Sequence, residues 1–270
     1  MKPLIIFLTI LATVAEGADG NSVRPLVQAH AHNDYDHQRP LLDALDQGFC
    51  SVEADVWLVE GQLLVAHDLK DTRSGRTLEA LYLDPLRARI KQNEGRVFKG
   101  GPSLTLLVDV KSDATNTYLA LRASLRRYEE MLTRFHPDKT ESNAVTVILS
   151  GNRAKALMKG EQVRLAAYDG RLADLAGGES RHFIPLISDN WSLHFKWRAR
   201  GGIDPLPDED QQKLKRIVEQ VHREGRRIRF WGMPDSPVVW RTLANAGVDL
   251  INTDDLEGLG RFLRQHSSER

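Results

Sequence analysis

Short apolar runs alternate with longer amphipathic stretches along most of this chain, and this alternation constrains its fold more than any other feature. The run Leu104–Val110 is almost continuously apolar, as expected of a strand that is buried on both faces. Residues 208–224 instead carry apolar side chains at helical spacing. Because strands and helices follow one another in this way, the sequence predicts an α/β fold with a parallel sheet.

Roughly eight strands are predicted, which favours a closed barrel over an open doubly wound sheet. The strands are predicted at 26–29, 52–58, 104–110, 145–149, 163–167, 183–187, 227–231 and 248–252, with a hairpin excursion at 63–66. Helices are predicted at 40–45, from 77, at 118–135, 208–224 and 237–246, and from 256. The sequence lacks the fingerprints GxGxxG and GxxxxGK(S/T), which argues against the open sheets that bind nucleotides. We therefore predict a single (β/α)8 TIM barrel over residues 24–265.

The first residues have the outline of a signal peptide. Lys2 precedes a short apolar run, and the small residues Ala15 and Gly17 follow it. This pattern predicts a signal peptide over residues 1–17 and a secreted or periplasmic protein. The apolar run is too short for a stable membrane span, which needs about 20 residues. A buried N-terminal helix and an uncleaved anchor are the alternatives.

The charge balance and the single cysteine exclude several classes of protein. The 37 basic residues match the 37 acidic residues, whereas nucleic-acid-binding proteins usually carry a basic excess. We therefore expect no nucleic-acid partner, and we expect a monomer. Cys50 is the only cysteine, so the chain can form neither an intramolecular disulfide nor a cysteine-based zinc site.

Two histidines follow the first predicted strand, where the active sites of TIM barrels lie. His30 and His32 are two residues apart, so an extended chain turns both toward the same side. Asn33 comes directly after them. Two histidines at this place are hard to explain as packing. They indicate a functional role at the mouth of the barrel.

Acidic residues interrupt two otherwise apolar strands. Glu53 and Asp55 alternate within one strand, and Asp109 and Lys111 alternate within a later one. Carboxylates that face inward together repel each other and are costly to desolvate. A divalent cation resolves both problems, and oxygen ligands suit Mg²⁺ or Ca²⁺. We therefore predict one such cation, held by Glu53, Asp55 and Asp109; a plain ion pair between Asp109 and Lys111 is the alternative.

The pair His67-Asp68 follows the predicted hairpin. His-Asp pairs are common on protein surfaces, so the pair alone indicates little. Its value comes from its place, just after the strand that carries the two carboxylates.

Taken in order, these clusters resemble the phospholipase-C-like phosphodiesterase superfamily. Its glycerophosphodiester phosphodiesterases carry a histidine after the first strand, Glu-x-Asp on the second, His-Asp soon after, and an acid with a lysine on the third. Phe230-Trp231 and the stretch 246–254 also look like the close of that family. The resemblance runs from about residue 26 to residue 260, and the ordered set is far more specific than any one of its parts.

The chain departs from the glycerophosphodiesterase pattern in two places. The family's first histidine is normally followed by Arg-Gly, but here His32 is followed by Asn33, and the third-strand acid is Asp109 where the family has Glu. The Asp-x-Lys arrangement and the short spacing between His32 and Glu53 are closer to sphingomyelinase D. The stretch His-Ala-His-Asn-Asp-Tyr resembles a less characterised branch of the superfamily. The identity of the substrate therefore does not transfer.

The resemblance implies a metal-dependent phosphodiesterase that acts on a small phosphodiester or a phospholipid headgroup. The reaction would be hydrolysis, or internal transfer in which a hydroxyl of the substrate attacks first and forms a cyclic phosphate. His32 and His67 would pass protons in opposite directions, and His30 would lie one layer deeper and orient the metal or its bound water. The choice between His30 and His32 stays open at this point. The residues expected to bind substrate are Asn33, Lys111 and Trp231.

Two other functions compete with this interpretation. Zinc-dependent amidohydrolases also place His-x-His after the first strand, but they need further histidines at later strand ends, and His182 and His194 lie outside such positions. A secreted barrel could also bind phosphorylated or sugar ligands without turnover. Metal analysis separates the enzymes, because zinc favours the amidohydrolase and Mg²⁺ or Ca²⁺ favours the phosphodiesterase.

Overall fold

Eight parallel strands close on themselves in the computed structural model, which describes residues 23–199 and 204–268. The barrel strands are β1 (Leu26–Ala31), β2 (Phe49–Val59), β4 (Leu104–Val110), β7 (Val145–Gly151), β8 (Ala166–Gly170), β9 (Leu186–Asn190), β10 (Arg227–Trp231) and β11 (Leu250–Thr253). Pairing of β1 with both β2 and β11 closes the ring. The predicted (β/α)8 barrel is therefore confirmed, whereas the predicted signal peptide, residues 1–17, lies outside the described residues.

Helices surround this barrel, and three short strands lie outside it. The helices are α1 (Leu42–Asp46), α2 (Asp84–Gln92), α3 (Ala114–Leu125), α4 (Lys155–Lys159), α5 (Trp191–His194), α6 (Asp208–Arg223), α7 (Pro237–Ala246) and α8 (Leu256–Ser268). The short strands are β3 (Gln62–Val65), β5 (Arg134–Phe135) and β6 (Thr140–Glu141). The predicted hairpin is confirmed, since β3 pairs antiparallel with the end of β2. Within the described residues, every helix is too short or too polar to cross a membrane.

The interior of the barrel is apolar at its amino-terminal end and polar at its mouth. The apolar cluster consists of Leu107, Phe135, Ile148, Ala167, Leu186 and Leu250. Phe135 enters it from β5, which bridges to Arg164 just before β8, so the hairpin of β5 and β6 closes this end. Because the amino-terminal end is filled, a ligand can approach the interior only from the carboxyl ends of the strands.

The strand register brings the acidic residues together. In the parallel pairing of β2 with β4, Asp55 lies opposite Asp109, and Glu53 lies opposite Leu107. In the next pairing, Asp109 lies opposite Ser150 of β7. Since alternate residues of a strand face the same side, Glu53, Asp55 and Asp109 all point into the barrel near its mouth.

Two strand predictions were wrong by about three residues. The strand expected at 163–167 is β8, Ala166–Gly170, and the strand expected at 183–187 is β9, Leu186–Asn190. Both strands run on into Asp169-Gly170 and Asp189-Asn190, which lie beyond the apolar pattern. At a barrel mouth, however, the backbone of such residues remains in the sheet.

The prediction of a single helix at 118–135 was also wrong. Helix α3 begins earlier, where the side chain of Asp113 accepts a hydrogen bond from the backbone N–H of Asn116 (2.9 Å). It ends at Leu125, and a kinked 3₁₀ segment follows with non-helical angles at Tyr128. The buried Tyr128 hydroxyl donates to Asp84 of α2 (2.7 Å), so a tertiary contact overrides the local helical periodicity.

Candidate active site

Three carboxylates from β2 and β4 form an acidic cluster at the barrel mouth. Ligand oxygens of Glu53, Asp55 and Asp109 all lie within 4.8 Å of one another. Oδ1 of Asp55 and Oδ1 of Asp109 are buried, and neither has a hydrogen-bond partner in the described part of the chain. Buried carboxylate oxygens without donors are the ligands that a hard divalent cation binds. The residues present therefore fit one Mg²⁺ or Ca²⁺ ion.

Lys111 lies beside this cluster. Its Nζ is 3.0 Å from Oδ2 of Asp55 and 3.1 Å from Oδ2 of Asp109. Burial alone would lower the pKa of Lys111, but the charges of Asp109 and Asp55 raise it above its ordinary value. Burial raises the pKa of Asp55 to about 6, and the Glu53 carboxylate adds to this shift. Positive charge, from the lysine or from a metal ion, therefore favours the ionised cluster.

Glu53 is held from below by two buried side chains. Nε2 of His30 lies 3.1 Å from Oε2 of Glu53, and Nδ1 of His30 lies 2.7 Å from the Ser51 hydroxyl. Nη2 of Arg229 donates to the same Glu53 oxygen at 2.8 Å. Although burial disfavours its charge, Arg229 and His30 lower the pKa of Glu53 well below its ordinary value. Burial, together with Arg229, lowers the pKa of His30 to about 4, so this imidazole is neutral near pH 7.

His32 stands above His30, at the rim of the cluster. Its Nδ1 lies 2.9 Å from Oδ1 of Asp254, the residue that follows β11. Burial lowers the pKa of His32, but the bond to Asp254 and the charge of Glu53 raise it above its ordinary value overall. With Nδ1 bound to Asp254, Nε2 is the ring nitrogen left for the cleft. The geometry is that of an imidazole oriented by a carboxylate.

Tyr35 connects the histidine loop to the acidic cluster. Its hydroxyl lies 2.8 Å from Oδ1 of Asn33 and 2.8 Å from Oδ2 of Asp55. Asn33 has a left-handed backbone (φ 47°), which turns the chain sharply after His32. Tyr35 is buried, and burial, with the nearby Asp55 charge, raises its pKa. The hydroxyl is therefore a fixed neutral donor that positions the loop.

A glycine next to the acidic cluster avoids a steric clash with Asp109. Gly151, the last residue of β7, has φ 66°, and a Cβ built there would overlap Oδ1 of Asp109 and the carbonyl oxygen of Val110. Only a residue without a side chain allows this backbone to pass so close to Asp109.

These groups line a cleft of about 420 Å³. The lining residues that the sequence predicted are His32, Asn33, Glu53, His67, Asp109, Lys111 and Trp231, and the others include Ser150, Asn152, Arg171 and Arg229. His30 is fully buried and does not line the cleft. The His67 side chain is 65% exposed, with Nδ1 3.5 Å from Asp68, and its backbone carbonyl accepts from Trp57 Nε1 (3.3 Å).

Sequence reasoning missed four residues of this site: Tyr35, Arg171, Arg229 and Asp254. Arg229 was detectable, because Arg227–Trp231 carries arginine at alternate positions within a strand. Asp254 stood in the stretch that resembles the family's close, but its histidine partner lies 222 residues earlier. Arg171 was missed because the end of β8 was placed too early.

Comparison with known proteins shows the family. The AIM6-like phosphodiesterase domain matches residues 20–169, which is more than half of the chain. The chain belongs to this family. The glycerophosphoryl diester phosphodiesterase family also matches this AIM6-like chain over residues 227–257. The predicted membership of the phospholipase-C-like superfamily is thereby confirmed.

Similar fungal proteins cover most of this AIM6-like chain. "Altered inheritance of mitochondria protein 6" of Eremothecium gossypii is 30% identical over 88% of the chain and 69% of its own length. The "Altered inheritance of mitochondria protein 6 homolog" of Arthroderma benhamiae is 29% identical over 85% of the chain and 82% of its own length. Their names describe a phenotype rather than a chemical activity.

Solved structures show the same fold. A putative glycerophosphoryl diester phosphodiesterase from Silicibacter pomeroyi aligns over 91% of this AIM6-like chain and 97% of its own, with a TM-score of 0.53 at 15% identity. A glycerophosphodiester phosphodiesterase from Agrobacterium tumefaciens covers 89% of the chain and 100% of its own, with a TM-score of 0.52 at 17% identity. At such identity, the likeness concerns the barrel and not the substrate.

Proposed function

We propose that this protein is a secreted, metal-dependent phosphodiesterase that acts on a glycerophosphodiester or phospholipid-type substrate, with His32 and His67 as the acid–base pair. One observation carries the proposal. Three inward-facing carboxylates whose oxygens lie within 4.8 Å of one another share a cleft with an imidazole that a carboxylate orients. Such groups suit phosphodiester hydrolysis, because negative charge on the phosphoryl oxygens must be stabilised and protons must move to and from oxygen.

Glu53, Asp55 and Asp109 would hold the cation. When bound, a divalent cation supplies positive charge that stabilises the phosphoryl oxygens and lowers the pKa of a bound hydroxyl or water. The donor set consists of hard oxygens, which supports Mg²⁺ or Ca²⁺. His30 and Arg229 keep Glu53 ionised and fix its direction, so the cluster is held in place before the ligand arrives.

The proton transfers fall to the two histidines that line the cleft. Nε2 of His32 accepts the proton of the attacking oxygen as the new P–O bond forms. Asp254 holds Nδ1 and stabilises the resulting imidazolium. His67 donates a proton to the leaving oxygen as the old P–O bond breaks, so the products are a phosphomonoester and an alcohol. Lys111, which lines the same cleft, stabilises negative charge on the phosphoryl oxygens.

The two rival functions are less well supported. A zinc amidohydrolase requires both histidines of His-x-His as metal ligands, but both ring nitrogens of His30 already contact Ser51 and Glu53. A ligand-binding barrel without turnover would require the same cleft and differs only in the absence of reaction.

One assay separates these functions. Purified protein is treated with EDTA and then supplied with Mg²⁺, Ca²⁺ or Zn²⁺, with bis(p-nitrophenyl) phosphate, glycerophosphodiesters and a panel of amides as substrates. We expect turnover with Mg²⁺ or Ca²⁺ and none in EDTA. Turnover with Zn²⁺ alone, on amide substrates, would favour the amidohydrolase. Binding of glycerophosphodiesters without turnover under any of these conditions would favour the ligand-binding barrel.

A further inference from the structure

A second depression adjoins the proposed active-site cleft. It has a volume of about 570 Å³ and shares Lys111, Gly151 and Asn152 with the cleft. Beyond these shared residues it is lined by Ser112, Asp113, Ala114, Arg153 and Tyr168. A substrate whose phosphodiester lies beside Lys111 can therefore extend over Gly151 and Asn152 into this depression, which we name the shoulder pocket.

Arg153 is a positively charged side chain that lines the shoulder pocket. The Cζ atom of its guanidinium lies 4.5 Å from the centroid of the Tyr168 ring. Nε donates to the carbonyl of Gly151 (3.1 Å), and Nη1 donates to the carbonyl of Asp169. These backbone contacts fix the guanidinium without neutralising it, and no ion pair with a carboxylate is formed within the described ranges.

Arg171 continues the positive surface into the cleft. Its Nη1 donates to Oδ2 of the buried Asp169 at 2.9 Å, and it lines the cleft beside Ser150. Two guanidinium groups, Arg153 and Arg171, therefore flank the path between the two cavities, and Asp169 is the carboxylate paired with Arg171. Asp113 also lines the shoulder pocket, but its Oδ1 accepts from the backbone of Asn116 (2.9 Å).

A cationic headgroup does not fit the shoulder pocket. Quaternary ammonium groups are recognised by open aromatic faces. The ring of Tyr168 already carries two cations, with Arg153 at 4.5 Å and Lys155 at 5.4 Å from its centroid. A fixed guanidinium instead matches the paired oxygens of a phosphate or a carboxylate.

We propose that the shoulder pocket is a subsite for a second anionic group of the substrate, a phosphomonoester or a carboxylate, with Arg153 as its principal ligand. This inference rests on the proposed phosphodiesterase function and names the substrate class of the same site. Phosphodiesters with a second anionic group would therefore be preferred over those with choline or an uncharged alcohol.

The test compares substrates that differ only in the headgroup. Glycerophosphoinositol 4-phosphate, glycerophosphoglycerol and glycerophosphocholine are assayed with the Mg²⁺-loaded full chain. We expect Arg153→Gln to lower kcat/KM for the phosphorylated substrate about tenfold, as expected for loss of one charge-assisted hydrogen bond. The kcat/KM values for the other two substrates should change less than about twofold. Arg153→Lys keeps the charge and should retain most of the preference.

Lys155→Gln is the matched control. Lys155 contacts the same tyrosine, but Asp174 at 2.9 Å and Glu179 at 3.7 Å already neutralise it, so its loss should leave the preference unchanged. An equal loss on all three substrates in Arg153→Gln, or no loss on any, would overturn the subsite.

A binding measurement keeps this test separate from the proposed function. Calorimetry with Mg²⁺-loaded His32→Ala protein measures affinity where turnover is disabled. This protein should bind glycerophosphoinositol 4-phosphate more tightly than glycerophosphocholine, and the double variant that also carries Arg153→Gln should lose this difference. That result would support the subsite even if no diester is hydrolysed. Hydrolysis of all three substrates with equal binding would support the phosphodiesterase and reject the subsite.

Discussion

The ring nitrogen Nδ1 of His32 lies 2.9 Å from Oδ1 of Asp254, and this contact joins the first strand of the barrel to the last. It fixes the direction of Nε2 and raises the pKa of His32 against the effect of burial. Asp254 is therefore a positioning residue for the proposed general base. The orientation and the pKa of His32 therefore depend on a residue near the C-terminal end of the chain.

Replacement of Asp254 by Asn should slow turnover and shift its pH profile. Without the carboxylate, the pKa of His32 falls, so the acidic limb of kcat/KM, where a base becomes protonated, should move to lower pH. We expect kcat to fall about tenfold, less than for loss of the base itself. The measurement is kcat/KM from pH 5 to 9. His222→Ala removes a histidine with a similar contact to Asp249 (2.8 Å) and should leave the profile unchanged.

Replacement of each of the three histidines by alanine should affect a different property of the protein. His32→Ala should lower kcat by about 10²–10⁴, the usual contribution of general acid–base catalysis. His67→Ala should do so only for substrates with poor leaving groups, because p-nitrophenolate leaves without a proton. His30→Ala should mainly weaken metal binding, because Glu53 loses a contact. Steady-state kinetics and calorimetry separate these effects, and near-normal turnover in His32→Ala would transfer the base to another residue.

Gly151→Ala should disrupt the metal site. A Cβ at this position overlaps Oδ1 of Asp109, so the carboxylate must move, and we expect metal affinity measured by calorimetry to fall more than about tenfold. Gly61→Ala is the matched control, because Gly61 has a similar φ of 79° and open space around it. Both variants carry the backbone strain of about 1 kcal/mol, but only the first should change metal affinity.

Asp34 should make the protein less stable as the pH rises. Burial raises the pKa of Asp34 from 3.8 to about 6, despite hydrogen bonds from the Leu41 N–H and the Tyr82 hydroxyl. Because the folded state holds this proton more tightly, the stabilisation is complete below about pH 3.8 and is lost as the pH rises through about 6. The total change is on the order of 3 kcal/mol.

Urea unfolding at several values between pH 4 and pH 7, with wild type and Asp34→Asn, measures this effect. The free energy of unfolding of wild type should fall relative to that of the variant across this range. Parallel curves for the two proteins would show that Asp34 titrates normally.

Export should leave a shortened chain. If residues 1–17 are a signal peptide, mass spectrometry of the exported protein should find an N-terminus near Ala18 or Glu16. An exported protein that still carries Met1 would contradict cleavage.

The acidic cluster was predictable from the sequence because its geometry follows from period and register. Glu53 and Asp55 alternate on one strand, Asp109 interrupts a strand that is otherwise apolar, and neighbouring parallel strands place such residues side by side. Prediction of the three carboxylates proposed to hold a cation required no knowledge of loops. The same simple periodicity predicted that His30 and His32 face the interior.

Depth and cross-barrel partners could not be predicted in this way. A period of two gives the direction of His30 and His32 but not that one is fully buried and the other lines the cleft. Arg229 contacts Glu53 across 176 residues of sequence, and no local pattern encodes that distance. The ends of β8 and β9 were misplaced because polar residues at a barrel mouth remain in the sheet.

The ion pair between Glu53 and Arg229 has a consequence for synthesis of the protein. The three proposed metal ligands have all been translated once the ribosome passes residue 109. Arg229, whose guanidinium fixes Glu53, belongs to β10 and is translated much later. A ribosome that stalls between these points releases a fragment that has its carboxylates and lacks the arginine that orients one of them. Such a fragment also lacks β11 and Asp254, so we expect the proposed hydrolytic activity to arise only once the C-terminal strands have been added.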